Sequence, residues 1–281
     1  MYTKINDKGA RDKLKGSDSK LELIHYKGAK YVIKTFQKHD YDKTDLITRK
    51  NRELYYSDKL RELSLPAMTY YDFNWLNDNQ LCMSFLDDLK IFSEQMTYDD
   101  FFKLANLKKF IIRNTKRKNT QLVTKNGSIN KPIQSYFDLL RESLSDLSIE
   151  TKYIELGYQI LNQIEVKTEY LTLLHSDFHC GNIGLVDNSI LIFDPGNCMY
   201  LYGHKFHDIT RQLMYFPEGI IFSEEKAYYA FQGYLDNISE FVKDSEFMNF
   251  CYIQSLILTG NPFVKRNQEI TTELFSRLAK N

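Results

Sequence analysis

The feature that most narrows the fold is a change of hydrophobic period near residue 88. Ahead of it, KLKGSDSKLELIHYKGAKYVIKTF (13–36) sets apolar residues at alternating positions, broken by Gly16-Ser17-Asp18 and by Lys27-Gly28. That is the pattern of short strands joined by tight turns. Thr44 to Leu63 is charged, free of Gly and Pro, and carries Leu46, Leu54 and Leu60 near helical spacing before Leu65-Pro66, so it reads as a helix. TYYDFNW (69–75) and QLCMSFL (80–86) read as further strands around Asn77-Asp78-Asn79, making five strands and one helix before Asp87-Asp88. Beyond, Phe101 to Arg113, Ile133 to Leu147 and Ile149 to Ile164 have helical periodicity, and Asn114 to Lys131 reads as a loop. From Tyr228 the chain again reads as helices, interrupted at Gly260-Asn261-Pro262. The expectation is an α+β chain with two lobes: a small antiparallel-sheet lobe with one helix (1–86) and a larger, mainly helical lobe (87–281).

Charge excludes one class of function. The chain has 37 basic and 37 acidic side chains among 281 residues, which argues against a protein whose main business is coating nucleic acid. No run approaches the roughly 18 apolar residues of a membrane span, and the polar opening MYTKINDKGARDKLKG lacks the apolar segment of a signal peptide, so a cytoplasmic location is expected. Cys82, Cys180, Cys198 and Cys251 are widely spaced with no C-x-x-C pair, as expected of reduced thiols.

The chemistry concentrates in HSDFHCGN (175–182) and the residues after it. On an extended strand, residues two apart share a side, so His175, Asp177 and His179 could present two imidazoles and a carboxylate to one metal ion, with His204 and His207 in reserve. A second reading starts from NIGLVDNSILIFDPGN (182–197), whose apolar runs Ile183 to Val186 and Ile190 to Phe193 flank Asp187-Asn188. That is a hairpin. It sets Asn182 opposite Phe193, within one residue of Asp194, and strands about 4.8 Å apart allow both oxygens to meet on one ion. Hard oxygen donors favour magnesium, which takes one or two protein groups together with phosphate oxygens. Phosphoryl transfer uses Asn182, the hairpin and Asp194-Pro195-Gly196, which the metal-hydrolase or oxygenase reading leaves without a role.

HSDFHCGN followed by IFDPGN resembles the catalytic loop and metal-binding segment of the aminoglycoside phosphotransferase and choline kinase group, which shares the protein kinase-like fold. The resemblance implies ATP and Mg2+ as cofactors, Asp177 as catalytic base, Asn182 and Asp194 as magnesium ligands, and His175 as a support of the loop. His179, common at this position in the group, takes a structural role by default. Lys34 in Tyr31-Val32-Ile33-Lys34 then matches the strand-borne lysine that holds nucleotide phosphates, and Glu53 on the following helix its partner. Gly16, Ser17 and Ser19 would form the turn covering the phosphates. Ser84, Phe85 and Leu86 would offer backbone groups to adenine, and Met83 would line its pocket. Asp208, in His207-Asp208-Ile209-Thr210-Arg211, resembles the group's acid that accepts hydrogen bonds from the catalytic-loop backbone; an N-cap is the alternative. The resemblance runs in order from about Lys15 to Arg211.

Ser176 stands where protein kinases usually carry an arginine, Asp194-Pro195-Gly196 replaces their D-F-G, and no A-P-E follows, which favours the small-molecule branch. The acceptor is then a hydroxyl of a small molecule or sugar of aminoglycoside, choline or saccharide type. A protein Ser/Thr kinase on the same fold is the first rival. The cluster Lys108, Lys109, Arg113, Lys116, Arg117 and Lys118 could attract an anionic substrate or form a solvated helix face, while Glu218, Glu224 and Glu225 could receive a cation or enrich a helix N-terminus. The sequence carries no signal for an oligomeric state.

Overall fold

A computed structural model describes residues 3–4, 19–38, 44–92, 96–196, 198–215 and 225–259. The front of the chain builds a five-stranded antiparallel sheet of order β1-β2-β3-β5-β4, from Thr3–Lys4, Ser19–Tyr26, Ala29–Phe36, Tyr70–Tyr71 and Gln80–Ser84 as β1 to β5. Lys27 and Gly28, at φ 48° and 84°, make the β2–β3 turn; two consecutive left-handed residues match the right-handed twist of the paired strands. In the register Leu23–Val32–Met83 and Leu21–Lys34–Leu81 lie side by side, so these residues share one face. The strand expected before Gly16 falls outside the described residues. The strand expected over 69–75 reduces to Tyr70–Tyr71, because Phe73 and Trp75 stack on one another, 5.2 Å apart, and meet Tyr31 and Tyr26 edge-on instead of continuing the ladder.

Helix α1, Leu46–Glu62, is capped by Asp45, whose carboxylate accepts from Thr48 N at 2.9 Å. Its buried face is Arg49, Arg52, Glu53, Tyr56 and Leu60, so of the three leucines read as its stripe only Leu60 is buried. A helix that buries charge must find partners for it. Glu53 finds Lys34 and Arg49 finds Gln37 O within the front of the chain, whereas Arg52 reaches Leu174 O in the back.

There, a second sheet pairs β6 (Lys90–Ile91), β10 (Ile183–Val186) and β11 (Ser189–Ile192), and β9 (Thr172–Leu173) pairs with β12 (Tyr202–Gly203). Around them lie α2 (Tyr98–Asn114), α3 (Ile133–Ser145), α4 (Thr151–Lys167), α5 (His207–Tyr215), α6 (Glu225–Asn237), α7 (Ser239–Val242) and α8 (Ser245–Thr259). Their apolar faces converge on one core that includes Phe101, Phe137, Phe178, Phe206, Phe231 and Phe250. Helices α2 and α6 approach closely at Gly233, where an added Cβ would strike the backbone of Tyr98. The segment read as a loop, Asn114 to Lys131, contains a hairpin: β7 (Asn119–Thr124) pairs with β8 (Gly127–Pro132). Its strands are mostly polar, with Val123 buried and Ile129 exposed, so hydrophobic alternation hardly registers; the signal was Asn126-Gly127. Asn51 of α1 donates to Thr124 O at 3.0 Å, fastening this hairpin to the helix that carries Glu53. Among the described residues no helix is long and apolar enough to cross a membrane.

Candidate active site

The polar loop between β9 and β10 is held from inside the protein. Asp208, one residue into α5, accepts from His175 N at 2.8 Å and Ser176 N at 2.9 Å, and it pairs as well with the buried ammonium of Lys108. Burial opposes the charge on Asp208, but Lys108 outweighs it and holds the carboxyl at about 2. Arg52 reaches across from α1 to Leu174 O at 2.6 Å. Ser176 takes φ 69°, so the loop does not run on as an extended strand; His175 is buried and the Asp177 side chain is 30% exposed.

This kink removes the premise of the metal-hydrolase reading. His175 is fully buried; its Nε2 donates to Phe193 O at 2.9 Å and its Nδ1 accepts from Asp177 N at 3.3 Å, so neither nitrogen can ligate a metal. His204 bonds Glu246 at 2.9 Å and His207 accepts from Tyr136 Oη at 2.7 Å. Among the described residues no group of three His, Cys, Asp or Glu side chains could hold a metal ion. The two bonds of His175 tie the loop to Phe193 at the end of β11.

The hairpin has the expected register. Asp187 and Asn188, at φ 48° and 61°, form its turn, Ile183 faces Ile192, and Phe193 N bonds Asn182 O at 3.1 Å. Asn182 and Asp194 therefore sit at neighbouring positions where the hairpin opens. Asn182 Nδ2 donates to Asp177 O at 2.9 Å and to Asp177 Oδ2 at 3.2 Å, which leaves the amide oxygen as the atom for a cation. Asp194 has φ 56° and a carboxylate that is 50% exposed. Two hard oxygens beside a cleft fit magnesium, whose remaining positions go to water and phosphate. After Pro195, Gly196 donates to His175 O at 3.0 Å and passes so close to Asp177 that an added Cβ would lie 2.7 Å from that residue's Cβ.

Lys34 closes the constellation. Its ammonium donates to Glu53 Oε2 at 2.6 Å and to Asp194 Oδ1 at 2.7 Å, and Tyr70 Oη donates to Glu53 Oε1 at 2.6 Å. Burial disfavours the ammonium, yet the Asp194 and Glu53 carboxylates overcome it and hold Lys34 above the usual lysine range. Glu53 is pushed up by burial; with Lys34 bonded to it we take the pair as charged. Asp177 is paired with Arg211, whose Nη2 and Nε reach Oδ1 at 2.9 Å and 3.2 Å. Burial would raise its carboxyl, but Arg211, then His179, keep it far below the ordinary carboxylate range.

Other sequence candidates fare unevenly. Met83 shares the sheet face of Lys34 and packs with Leu23, Val32 and Phe85. Ser84 N donates to Thr69 O and Phe85 N to Lys30 O, so those two N–H groups, expected to face adenine, are engaged within the protein. Ser19 is not in a turn but opens β2, buried opposite Phe36, because the strand begins one residue earlier than its pattern suggested. Gly16, Ser17, Glu218 and Glu224 lie outside the described residues. The basic cluster is not one face: Lys108 is 1% exposed, Lys109 bonds Asn237 O and Glu240, Arg113 approaches Glu240, and Lys116 and Arg117 lie over Tyr170 and Tyr202. A helix turns 100° per residue, so adjacent basic residues separate. The sequence reading missed Arg52, Tyr70 and Arg211, and took Lys108 for a surface charge.

The buried imidazoles give the site a pH dependence. Burial lowers His204, and it lowers His175 to about 4 and His207 to about 3. The unfolded chain, with histidines near 6.5, then binds protons first, so their stabilisation is complete above about pH 6.5 and is lost as pH falls below it. Asp208 at about 2 extends the loss below its ordinary value. The urea midpoint is expected to fall continuously between about pH 7 and pH 4. A flat midpoint over that window contradicts the neutral buried imidazoles.

No protein-family model matches the sequence, and no curated protein matches it. Solved structures do match in shape. A choline kinase from Streptococcus pneumoniae superposes with TM-score 0.58 at 12% identity, over 95% of this chain and 91% of that one. An aminoglycoside phosphotransferase gives 0.58 at 13% identity, over 100% and 92%. An ethanolamine kinase from Plasmodium vivax gives 0.57 at 17% identity, over 97% and 81%. At such identities the likeness establishes the fold, which is the kinase-like fold these proteins share.

Proposed function

We propose that the protein is an ATP- and magnesium-dependent phosphotransferase that moves the γ-phosphoryl group to a hydroxyl of a small molecule or sugar. One observation carries this reading: Lys34 bonds both Glu53 and Asp194, and Asp194 sits beside Asn182, whose amide bonds the Asp177 carboxylate. Phosphoryl transfer needs these groups in this order and little covalent chemistry besides. The division into a nucleotide-binding front (1–86) and a helical back (87–281) belongs to the same proposal.

Lys34 holds the nucleotide phosphates and Glu53 fixes its direction. Asn182 Oδ1 and the Asp194 carboxylate hold magnesium, which when bound neutralises charge building on the phosphate oxygens. Asp177 orients the acceptor hydroxyl and takes its proton as the new O–P bond forms. A carboxylate held so far below its usual range is a weak base, so alignment contributes more than proton abstraction. Solved relatives of this fold support the ligand class: the choline kinase was crystallised with AMP, and an aminoglycoside phosphotransferase with ADP and hygromycin B.

The test is a thermal-shift screen of nucleotides with and without magnesium, followed by an acceptor screen of sugars, aminoglycosides, amino alcohols and proteins. A nucleotide at 100 times its Kd adds about 2.7 kcal/mol of stability, and that gain should require magnesium. Absence of a shift with every nucleotide contradicts the proposal, and transfer to the protein panel alone replaces the acceptor class.

A further inference from the structure

The catalytic-loop region brings no cation of its own. Between Leu171 and Met199 there is no Lys or Arg, and Lys34 is engaged with Glu53 and Asp194. The guanidinium bonded to Asp177 comes from α5. Arg211 lies three residues after Asp208, on the same helix face. One turn of α5 thus fixes the loop backbone through Asp208 and reaches the loop's carboxylate through Arg211. Arg211 Nε and Nη2 both point to Asp177 Oδ1, at 3.2 Å and 2.9 Å, so one edge of the guanidinium marks where the acceptor oxygen must come. The side chain is 18% exposed, dry enough for its charge to be weakly screened.

Resting on the phosphotransferase reading, we infer that Arg211 is a catalytic residue that bonds the transferring phosphoryl group from the acceptor side of the cleft. An acceptor oxygen on Asp177 lies about 3–3.5 Å from phosphorus in a reactive geometry, and the neighbouring guanidinium is then within one hydrogen bond of a phosphoryl oxygen. As the bond from phosphorus to the ADP oxygen breaks and that to the acceptor oxygen forms, the acceptor proton passes to Asp177 and charge spreads over the equatorial oxygens. Arg211 meets that charge from the Oδ1 side of Asp177, while Asn182 holds Oδ2. A planar fork with several donors suits three such oxygens better than a point charge.

The test uses ADP, magnesium and aluminium fluoride, which together imitate the phosphoryl group in flight. Calorimetry on the full-length chain compares wild type with Arg211→Met, Arg211→Lys and Asp177→Asn, each first checked for an unchanged melting temperature. Arg211→Met is expected to bind ADP like wild type but to lose the fluoride-dependent gain by about 10- to 100-fold, in keeping with the larger losses in turnover when an arginine is withdrawn from a phosphoryl-transfer site. Arg211→Lys recovers part of it, and millimolar guanidinium restores Arg211→Met. Asp177→Asn keeps the gain, because the guanidinium acts directly. Equal gains in wild type and Arg211→Met overturn the inference and leave the nucleotide site standing, as does a loss in Asp177→Asn as large as in Arg211→Met. Failure of wild type to bind ADP with magnesium overturns both.

Discussion

Replacing Asp177 by asparagine is expected to lower turnover by about 10²- to 10⁴-fold, the range for removal of a positioned general base, with nucleotide affinity unchanged. The asparagine side chain is nearly the same size and still offers an oxygen to Arg211, so the loop geometry survives. What disappears is the carboxylate that orients the hydroxyl and receives its proton. Lys34 and Asp194 are untouched, because Asp177 makes no bond to either, and Asn182 keeps its bond to the backbone oxygen of residue 177, at 2.9 Å, when it loses the longer one to the carboxylate. Single-turnover kinetics with the acceptor found in the screen, beside ADP titration, separate the two effects. Turnover within twofold of wild type removes Asp177 from its role.

Replacing Asp208 by alanine should produce the largest loss of stability, about 3–5 kcal/mol, as for a buried ion pair deprived of one partner. Lys108 and Asp208 are each 1% exposed. Without the carboxylate, the ammonium keeps Leu173 O, at 3.4 Å, and the face of Phe178, and the N–H groups of His175 and Ser176 lose their acceptor. Denaturant unfolding measures the loss, and Lys108→Met/Asp208→Ala should recover part of it, because the apolar stem removes the unpaired charge. A loss below about 1 kcal/mol in the single variant, the range of exposed ion pairs, contradicts the brace.

The two substitutions divide what was legible in the sequence from what was not. Asp177, Asn182 and Asp194 could be placed together because everything between them is local. A two-residue turn at Asp187-Asn188 and two short apolar runs set the register, and register sets which side chains are neighbours. Lys34 and Glu53 were legible through the order of strand and helix in the resembled group, since no local rule joins residues 19 apart. Lys108, Arg52 and Arg211 were not legible as site residues. Hydrophobic periodicity assigns charge to the surface, whereas here α1 and α2 bury a guanidinium and an ammonium against backbone carbonyls and Asp208. The hairpin of β7 and β8 escaped for the converse reason: its strands carry few apolar side chains, and only Asn126-Gly127 announced the turn. Burial of charge and pairing of polar strands are tertiary events, fixed by partners far away in the chain.

The central claim is that an amide oxygen and a carboxylate, one on each arm of the β10–β11 hairpin, share one divalent cation with the nucleotide phosphates, beside Asp177 and Lys34. A crystal structure with magnesium and a non-hydrolysable ATP analogue tests it directly. The account predicts a metal bonded to Asn182 Oδ1 and an Asp194 carboxylate oxygen at about 2.0–2.1 Å, with the terminal phosphate between Lys34 and Asp177. Phosphates bound elsewhere, or a metal held by His175 or His179, would contradict it.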